Sequence, residues 1–287
     1  MQTRRPGPPT LLVAAAALLV GCGSGDDSTA KKPEPAPPAT TATASRPAKA
    51  PPVELYISAN HSVRPVVSPG WPIVVQVRVV LAPGAGDALA LSNPAGTWAD
   101  ALKLECVGPG NVDRSALFSP VVKANKAIAL TRERSGLMVW VLDGAAPQSL
   151  PEGTWQMRAV LDETKLGNAV GGGVRSNAIS VVVVASPAVL TPRAAQRKCL
   201  ATMTALAWKG DAAQALAAAT AHLTNNPEDV AVLFMKGQVL RSQGKKAEAM
   251  ASFEAALAAA IKDAEKMSEN FAIEEAIGGL QREMAGP

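Results

Sequence analysis

Valine and alanine divide this 287-residue chain more sharply than any other feature. Residues 53–184 carry 22 Val and 17 Ala, whereas residues 195–287 carry 3 Val and 24 Ala. Val is branched at Cβ, stiff at χ1 and suited to a pleated sheet, while Ala loses least on entering a helix. The chain is therefore expected to be multidomain, an all-β unit followed by an all-α unit. Its length accommodates two ordinary domains.

The first unit reads as short strands between turn clusters. Val53 to Ala59 alternates, and a longer run, Ile73 to Leu81, follows Ser68-Pro69-Gly70-Trp71-Pro72. Leu102, Leu104 and Cys106 alternate with polar residues, and Leu137 to Leu142 includes Trp140. Trp155, Met157, Ala159 and Leu161 share one face, and Asn177 to Val184 runs into Ser186-Pro187. Strands at this density over about 130 residues fit a β-sandwich. The turn Leu150-Pro151-Glu152-Gly153-Thr154-Trp155 leads into an alternating strand. It resembles the corner of bacterial immunoglobulin-like modules, with Trp155 where a Tyr is more usual. The resemblance implies an immunoglobulin-like sandwich over residues 53–185. No antibody-type Cys…Trp…Cys pattern is present. Gly171-Gly172-Gly173 lacks the strand–loop–helix context of a phosphate cradle and reads as a loop.

The start of the chain reads as an address. Arg4 and Arg5 precede an apolar run from Leu11 to Val20, too short to span a bilayer but the right length for the core of a signal peptide. Leu19-Val20-Gly21-Cys22 closes that run and resembles the lipobox of bacterial lipoproteins. The resemblance implies removal of residues 1–21, a diacylglycerol on Cys22, and a cell-membrane lipid anchor on an exported chain. With Gly23 rather than Asp after the cysteine, it implies outer-membrane sorting in a Gram-negative host, facing the periplasm or the surface. Two or three acyl chains, at roughly 0.8 kcal/mol per buried CH2, make a stable anchor. Losing Arg4 and Arg5 takes the formal net charge from +4 to +2, so little attraction to acidic partners follows from the whole-chain charge. Residues 22–52 then carry Pro33, Pro35, Pro37, Pro38, Pro47, Pro51 and Pro52 among Ala, Thr, Ser and Lys. That composition is expected to form an extended tether, at about 3.1 Å per residue in polyproline II.

The second unit, residues 186–287, repeats at an offset of 34 residues. Leu206 falls on Leu240, Gly210 on Gly244, Ala215 on Ala249, Ala217 on Ala251 and Leu223 on Leu257. Gly237, Leu240, Gly244, Ala249, Phe253, Ala256 and Leu257 follow an order of small, large and turn residues, and Pro227 closes the first unit. This resembles the tetratricopeptide repeat. The second copy departs at Lys236, and the first at Thr202, His222 and Ala219. Two copies fall short of the roughly three needed for a stable array. An apolar stripe of Met267, Phe271, Ile277, Leu280 and Met284 is expected to cap it as a final helix.

Nothing in the sequence carries a reaction. Walker, HExxH, GxSxG and GxGxxG motifs are absent. The two histidines, His61 and His222, cannot build a His-rich metal site, and the three cysteines, 84 and 93 residues apart, form no CxxC pair. His61, between Asn60 and Ser62, reads as a turn histidine and Cys199 as a small buried hydrophobe. Export would permit a Cys106–Cys199 bridge, although the two fall in different domains. Asp162-Glu163 and Glu274-Glu275 are adjacent pairs whose side chains diverge, so they read as solvated charges. Aromatic residues are 3% of the chain, too few for stacking on single-stranded nucleic acid. No catalytic residue, cofactor, metal or nucleic-acid partner is expected.

The expected function is that of a membrane-anchored scaffold in the cell envelope that binds other envelope proteins or peptides. The tetratricopeptide resemblance places the groove at Arg197, Thr204 and Trp208 in the first unit and at Phe234, Gln238 and Arg241 in the second. Leu200, Ala201 and Met235 replace the family's carboxylate-clamp residues, so a C-terminal carboxylate is not the expected ligand. The alternative is an envelope polymer or glycan bound by the β domain, with Trp71, Trp98 and Trp140 as stacking faces. A Cys22→Ser substitution should abolish incorporation of labelled palmitate and release the chain from membranes. Retained label in that variant would remove the anchor reading.

Overall fold

The computed structural model describes residues 51–122, 124–143, 149–167, 173–262 and 267–285. The signal segment, Cys22 and the Pro-rich tether through residue 50 lie outside the described residues, as do Gly171 and Gly172. No described helix is long and apolar enough to cross a membrane.

Ten strands build the β domain: β1 Val53–Ala59, β2 Val66–Val67, β3 Ile73–Leu81, β4 Ala88–Ser92, β5 Leu102–Val107, β6 Ser119–Pro120, β7 Ala127–Thr131, β8 Gly136–Leu142, β9 Gly153–Leu161 and β10 Ile179–Val183. Two four-stranded sheets run in the orders β1-β3-β8-β6 and β2-β10-β9-β5, and β4 pairs with β7 in a separate ribbon. All pairings are antiparallel except β2 with β10. These are the two four-stranded sheets of an immunoglobulin-type sandwich, with β1 at the edge of one and β2 laid beside the last strand of the other. Alternation supplies the core: Leu55, Ile57, Val75, Val77, Leu104, Cys106, Trp155, Met157 and Val181 all point between the sheets.

The corner before β9 works with a Trp in place of a Tyr. The Trp155 indole Nε1 donates to the Pro151 carbonyl at 2.8 Å, four residues upstream. Gly108 makes room for the ring, because a Cβ there would lie 2.4 Å from it.

The central strands β3 and β8 depart from simple alternation. Ile73 to Val77 is buried without a break, as is Met138 to Leu142. The outward-facing Val74, Val139 and Val141 form their own cluster with Ala205 and the partly buried Trp208 of the helical region. One face of the sandwich is thus a second buried interface.

Five helices follow: α1 Pro192–Lys209, α2 Ala212–Asn225, α3 Val230–Ser242, α4 Lys246–Lys262 and α5 Met267–Ala285. The first three start on side-chain caps from Thr191, Asp211 and Asp229. Gly210 and Gly244, 34 residues apart, take φ of 83° and 76° after α1 and α3 and turn the chain into the next helix. Ala215 and Ala249 are both fully buried, and so are Ala219 and Phe253. The 34-residue equivalences therefore fall at matching places in two helix hairpins. Ile273, Ala276 and Leu280 of α5 join Leu240, Phe253 and Ala256 in one cluster. Met284 does not extend that stripe, since it is 46% exposed.

Cys106 and Cys199 are free and buried, one in the sandwich core and the other among the helices. The disulfide that export would permit does not form, because each thiol sits in a separate core.

Gly237 lies under Phe253, whose ring would be 2.4 Å from a Cβ at that position. In an isolated helix Gly→Ala stabilises by about 1 kcal/mol. Here overpacking of about 1–3 kcal/mol opposes it. Gly237→Ala should therefore lower the unfolding midpoint in urea; a raised midpoint would show that Phe253 moves freely.

Candidate functional site

The expected groove residues fall in three places. Arg197 is exposed and lines a cleft between the two domains, and Thr204, buried, lines its floor. Trp208 packs with Val74, Val139 and Val141 in the joint, its Nε1 buried with no partner among the described residues. Phe234 is half-buried, its ring 5.5 Å from that of Phe253. Gln238 is 6% exposed. Arg241 pairs with Glu283 of α5, which holds the Glu283 carboxyl below its ordinary range. Phe234, Gln238 and Arg241 do not line the cleft, so only Arg197 and Thr204 meet there.

The cleft has a volume of about 310 Å³ and opens between the corner after β1 and the first half of α1. That corner is a tight turn. Ala59 and Ser62 exchange both backbone hydrogen bonds, at 2.8 and 2.9 Å, around Asn60 and His61. Both central residues have positive φ, 45° and 61°, as a type I′ turn requires. Asn tolerates this conformation well and His less so. The Asn60 side chain fixes the turn to the start of β3: its Oδ1 accepts from the Val74 N–H at 2.8 Å and its Nδ2 donates to the Pro72 carbonyl at 3.2 Å.

The turn delivers His61 to α1. Its Nε2 stands 3.5 Å from Thr204 Oγ1, and Thr204 donates its own proton to the Leu200 carbonyl at 2.7 Å. With the Thr204 proton used on Leu200, a hydrogen bond between the two requires Nε2 to donate. Nδ1 is buried without a partner among the described residues, and burial pulls the His61 pKa below its ordinary value.

Charge in the cleft is one-sided. Arg64 enters from the β domain, and Arg193 and Arg197 from successive turns of α1. All three are exposed and none has an ion pair among the described residues. Asp229, which is bonded to the cleft residue Gln196, is already committed. Its Oδ1 accepts from Gln196 Nε2 at 2.8 Å and from the Val232 N–H at 3.2 Å, and its Oδ2 lies 2.7 Å from His222 Nε2. The arginines are therefore available to a negatively charged ligand.

Neither described cysteine lines the cleft. Burial pushes the Cys106 thiol up to about 12 and the Cys199 thiol up to about 11, assisted by Asp113 and Asp229 respectively. Both stay protonated and weakly nucleophilic. Among the described residues no group of three or more His, Cys, Asp or Glu is placed to hold a metal. Trp98 and Trp140 are buried, and Trp71 lines the cleft while only 7% exposed, so none offers a broad stacking face. His61, Arg64 and Arg193 are cleft residues that sequence reasoning did not assign. The Asn60-His61 pair was a legible turn signal, but nothing in sequence joins it to residues 130 positions later.

Fold and cleft together define a two-domain protein, an immunoglobulin-type sandwich and five helices with a basic cleft at their joint. No family model matches the chain, and no curated protein matches it. Solved structures do match. One is the CARDB domain of a Pyrococcus furiosus protein in complex with di-metal ions, at 13% identity, covering 49% of this chain and 95% of that one, with a TM-score of 0.26. Another is Spo0M, a sporulation control protein from Bacillus subtilis, at 10% identity and a TM-score of 0.26, covering 47% of this chain and 50% of that one. A third, described as pT26-6p, has 10% identity and a TM-score of 0.24, covering 80% of this chain and 49% of that one. The strand order and register, not these likenesses, carry the description of the fold.

A His whose folded-state pKa is depressed stabilises fully above its unfolded value of 6.5. That contribution is lost as pH falls below 6.5 toward the folded-state value. The thermal midpoint should drop between about pH 7.5 and pH 5.5, and less steeply in His61→Gln. Identical slopes in the two proteins would show that His61 is not the titrating group.

Proposed function

We propose that the chain is an exported lipoprotein, anchored through Cys22, that binds other envelope proteins and catalyses nothing. Its helical region is read as a tetratricopeptide-like pair of repeats with a capping helix. Support for that reading comes from the 34-residue spacing of Gly210 with Gly244, Ala215 with Ala249, and Cys199 with Leu233, each pair alike in setting. The observation that carries the binding role is the cleft. Arg193, Arg197, Leu200 and Thr204 form one stripe of α1, on the helix that the tetratricopeptide resemblance assigns to ligand, and the Asn60–Val67 segment walls it. The groove is thus narrower than the resemblance alone suggests: its upper half is closed by the β domain over Trp208, and the second unit's Arg241 is held by Glu283. The glycan alternative gains no support from Trp98 and Trp140, which are buried.

A photo-crosslinking residue at Leu200 in the full-length lipidated chain tests this in its own envelope. Discrete protein adducts are expected from position 200 and none from the exposed Glu254 of α4. Ala231→Trp, which fills the cleft from α3, should remove them. Equal adducts from both positions, or adducts that survive Ala231→Trp, would overturn the reading.

A further inference from the structure

Two observations at the cleft point to the chemistry of what enters it. The first is charge. Three arginines from two domains, Arg64, Arg193 and Arg197, without ion pairs among the described residues, border one cavity whose adjoining carboxylate is already committed. A guanidinium presents paired N–H donors in a plane that match a carboxylate two to two. The second is an open strand edge. In β2 the Pro65 and Val67 carbonyls accept from the Val182 and Val184 N–H groups, each at 2.9 Å. In a parallel pair adjacent residues direct their backbone groups to opposite sides. Val66, between them, therefore turns its N–H and C=O away from β10. No strand pairs with β2 on that side among the described residues, and Val66 lines the cleft.

Resting on the protein-binding reading above, we infer that the cleft takes an extended acidic segment of the partner, whose backbone pairs with Val66 and whose carboxylates meet Arg64, Arg193 and Arg197. An added strand places alternate side chains on one face, so a segment with an acid at every second residue presents its carboxylates in one row. A free small anion would use the arginines and leave the strand edge unused.

The test measures binding of labelled peptides to the whole exported chain by fluorescence anisotropy. The peptides alternate Glu with Thr, Gln with Thr, or Lys with Thr, and inorganic phosphate serves as competitor. The Glu peptide should bind and the other two should not, with affinity falling as salt rises. Arg193→Glu with Arg197→Glu should weaken it about tenfold or more. Val66→Pro, which removes an N–H that no ladder bond uses, should weaken it while leaving the thermal midpoint in place. Equal binding of Glu and Gln peptides would overturn the inference. So would full displacement by phosphate together with an indifferent Val66→Pro, which would make the cleft an anion site. The adducts from position 200 separate the two levels of reading. Adducts lost in Ala231→Trp but kept in the double arginine variant defeat the acidic segment alone, and adducts kept in both defeat the protein-binding reading as well.

Discussion

The molecule depends on the burial of a sheet face that a free sandwich would leave in water. Val74 on β3 and Val139 and Val141 on β8 are each almost completely buried, packed with Ala205 and Trp208 of α1 and with Val121, Val122 and Leu137 of the β domain. Burying a Val side chain contributes about 1.5–3 kcal/mol. The ion pair at the same joint, Lys209 with Asp143, is partly exposed and contributes at most about 1 kcal/mol. The apolar contact therefore decides how the domains sit, and the charges trim it. The joint is not fully satisfied: Trp208 Nε1 and His61 Nδ1 are both buried without partners among the described residues. Each such atom costs about 1–3 kcal/mol. The valine face must offset them.

Because one helix serves both joint and cleft, packing and binding compete for its residues. A first repeat read in isolation offers Arg197, Thr204 and Trp208 to a partner. In the folded chain Trp208 is already used on the β domain and Thr204 is met by His61. What stays open at the cleft is the first half of α1, which carries Arg193 and Arg197. The β domain narrows the helical groove and supplies in exchange a wall with its own arginine and an open strand edge.

Much of the fold was legible in the sequence. The Val and Ala partition gave the order of domains, and the alternating and apolar runs located β1, β3, β5, β8, β9 and β10 within a residue or two. The strands β2 and β6 are two residues long, and β4 and β7 bury firmly one large side chain each, Leu91 and Leu130, so no alternation marked them. The joint also left a trace. Met138 to Leu142 is unbroken apolar sequence, and Ile73 to Val77 is interrupted only by Gln76, as a strand covered on both faces requires. The cleft left none. Arg64 and Arg193 share no motif, and only the docking of α1 on the sheet brings them to one cavity. The lost groove positions have the same cause, since a repeat pattern describes a helix and its neighbours in the array but not the domain that precedes it.

The stripe along α1 explains why the two sites cannot be tuned separately. Arg193, Arg197, Leu200, Thr204 and Trp208 recur at three- and four-residue steps, so they lie on one face of a rigid rod. Eight residues separate Arg197 from Ala205, about 12 Å of helix at 1.5 Å per residue. The distance between the arginines and the β2 edge is therefore set by how closely Ala205 seats on Val74 and Val139. An alanine at that point lets the helix backbone approach the sheet, and the Gly210 turn directly after α1 leaves α2 clear of the same face. A bulkier residue at 205 would lift the whole rod and widen the cleft at its far end. The small side chain that makes the joint tight is thus also what fixes the width of the cleft that the arginines border.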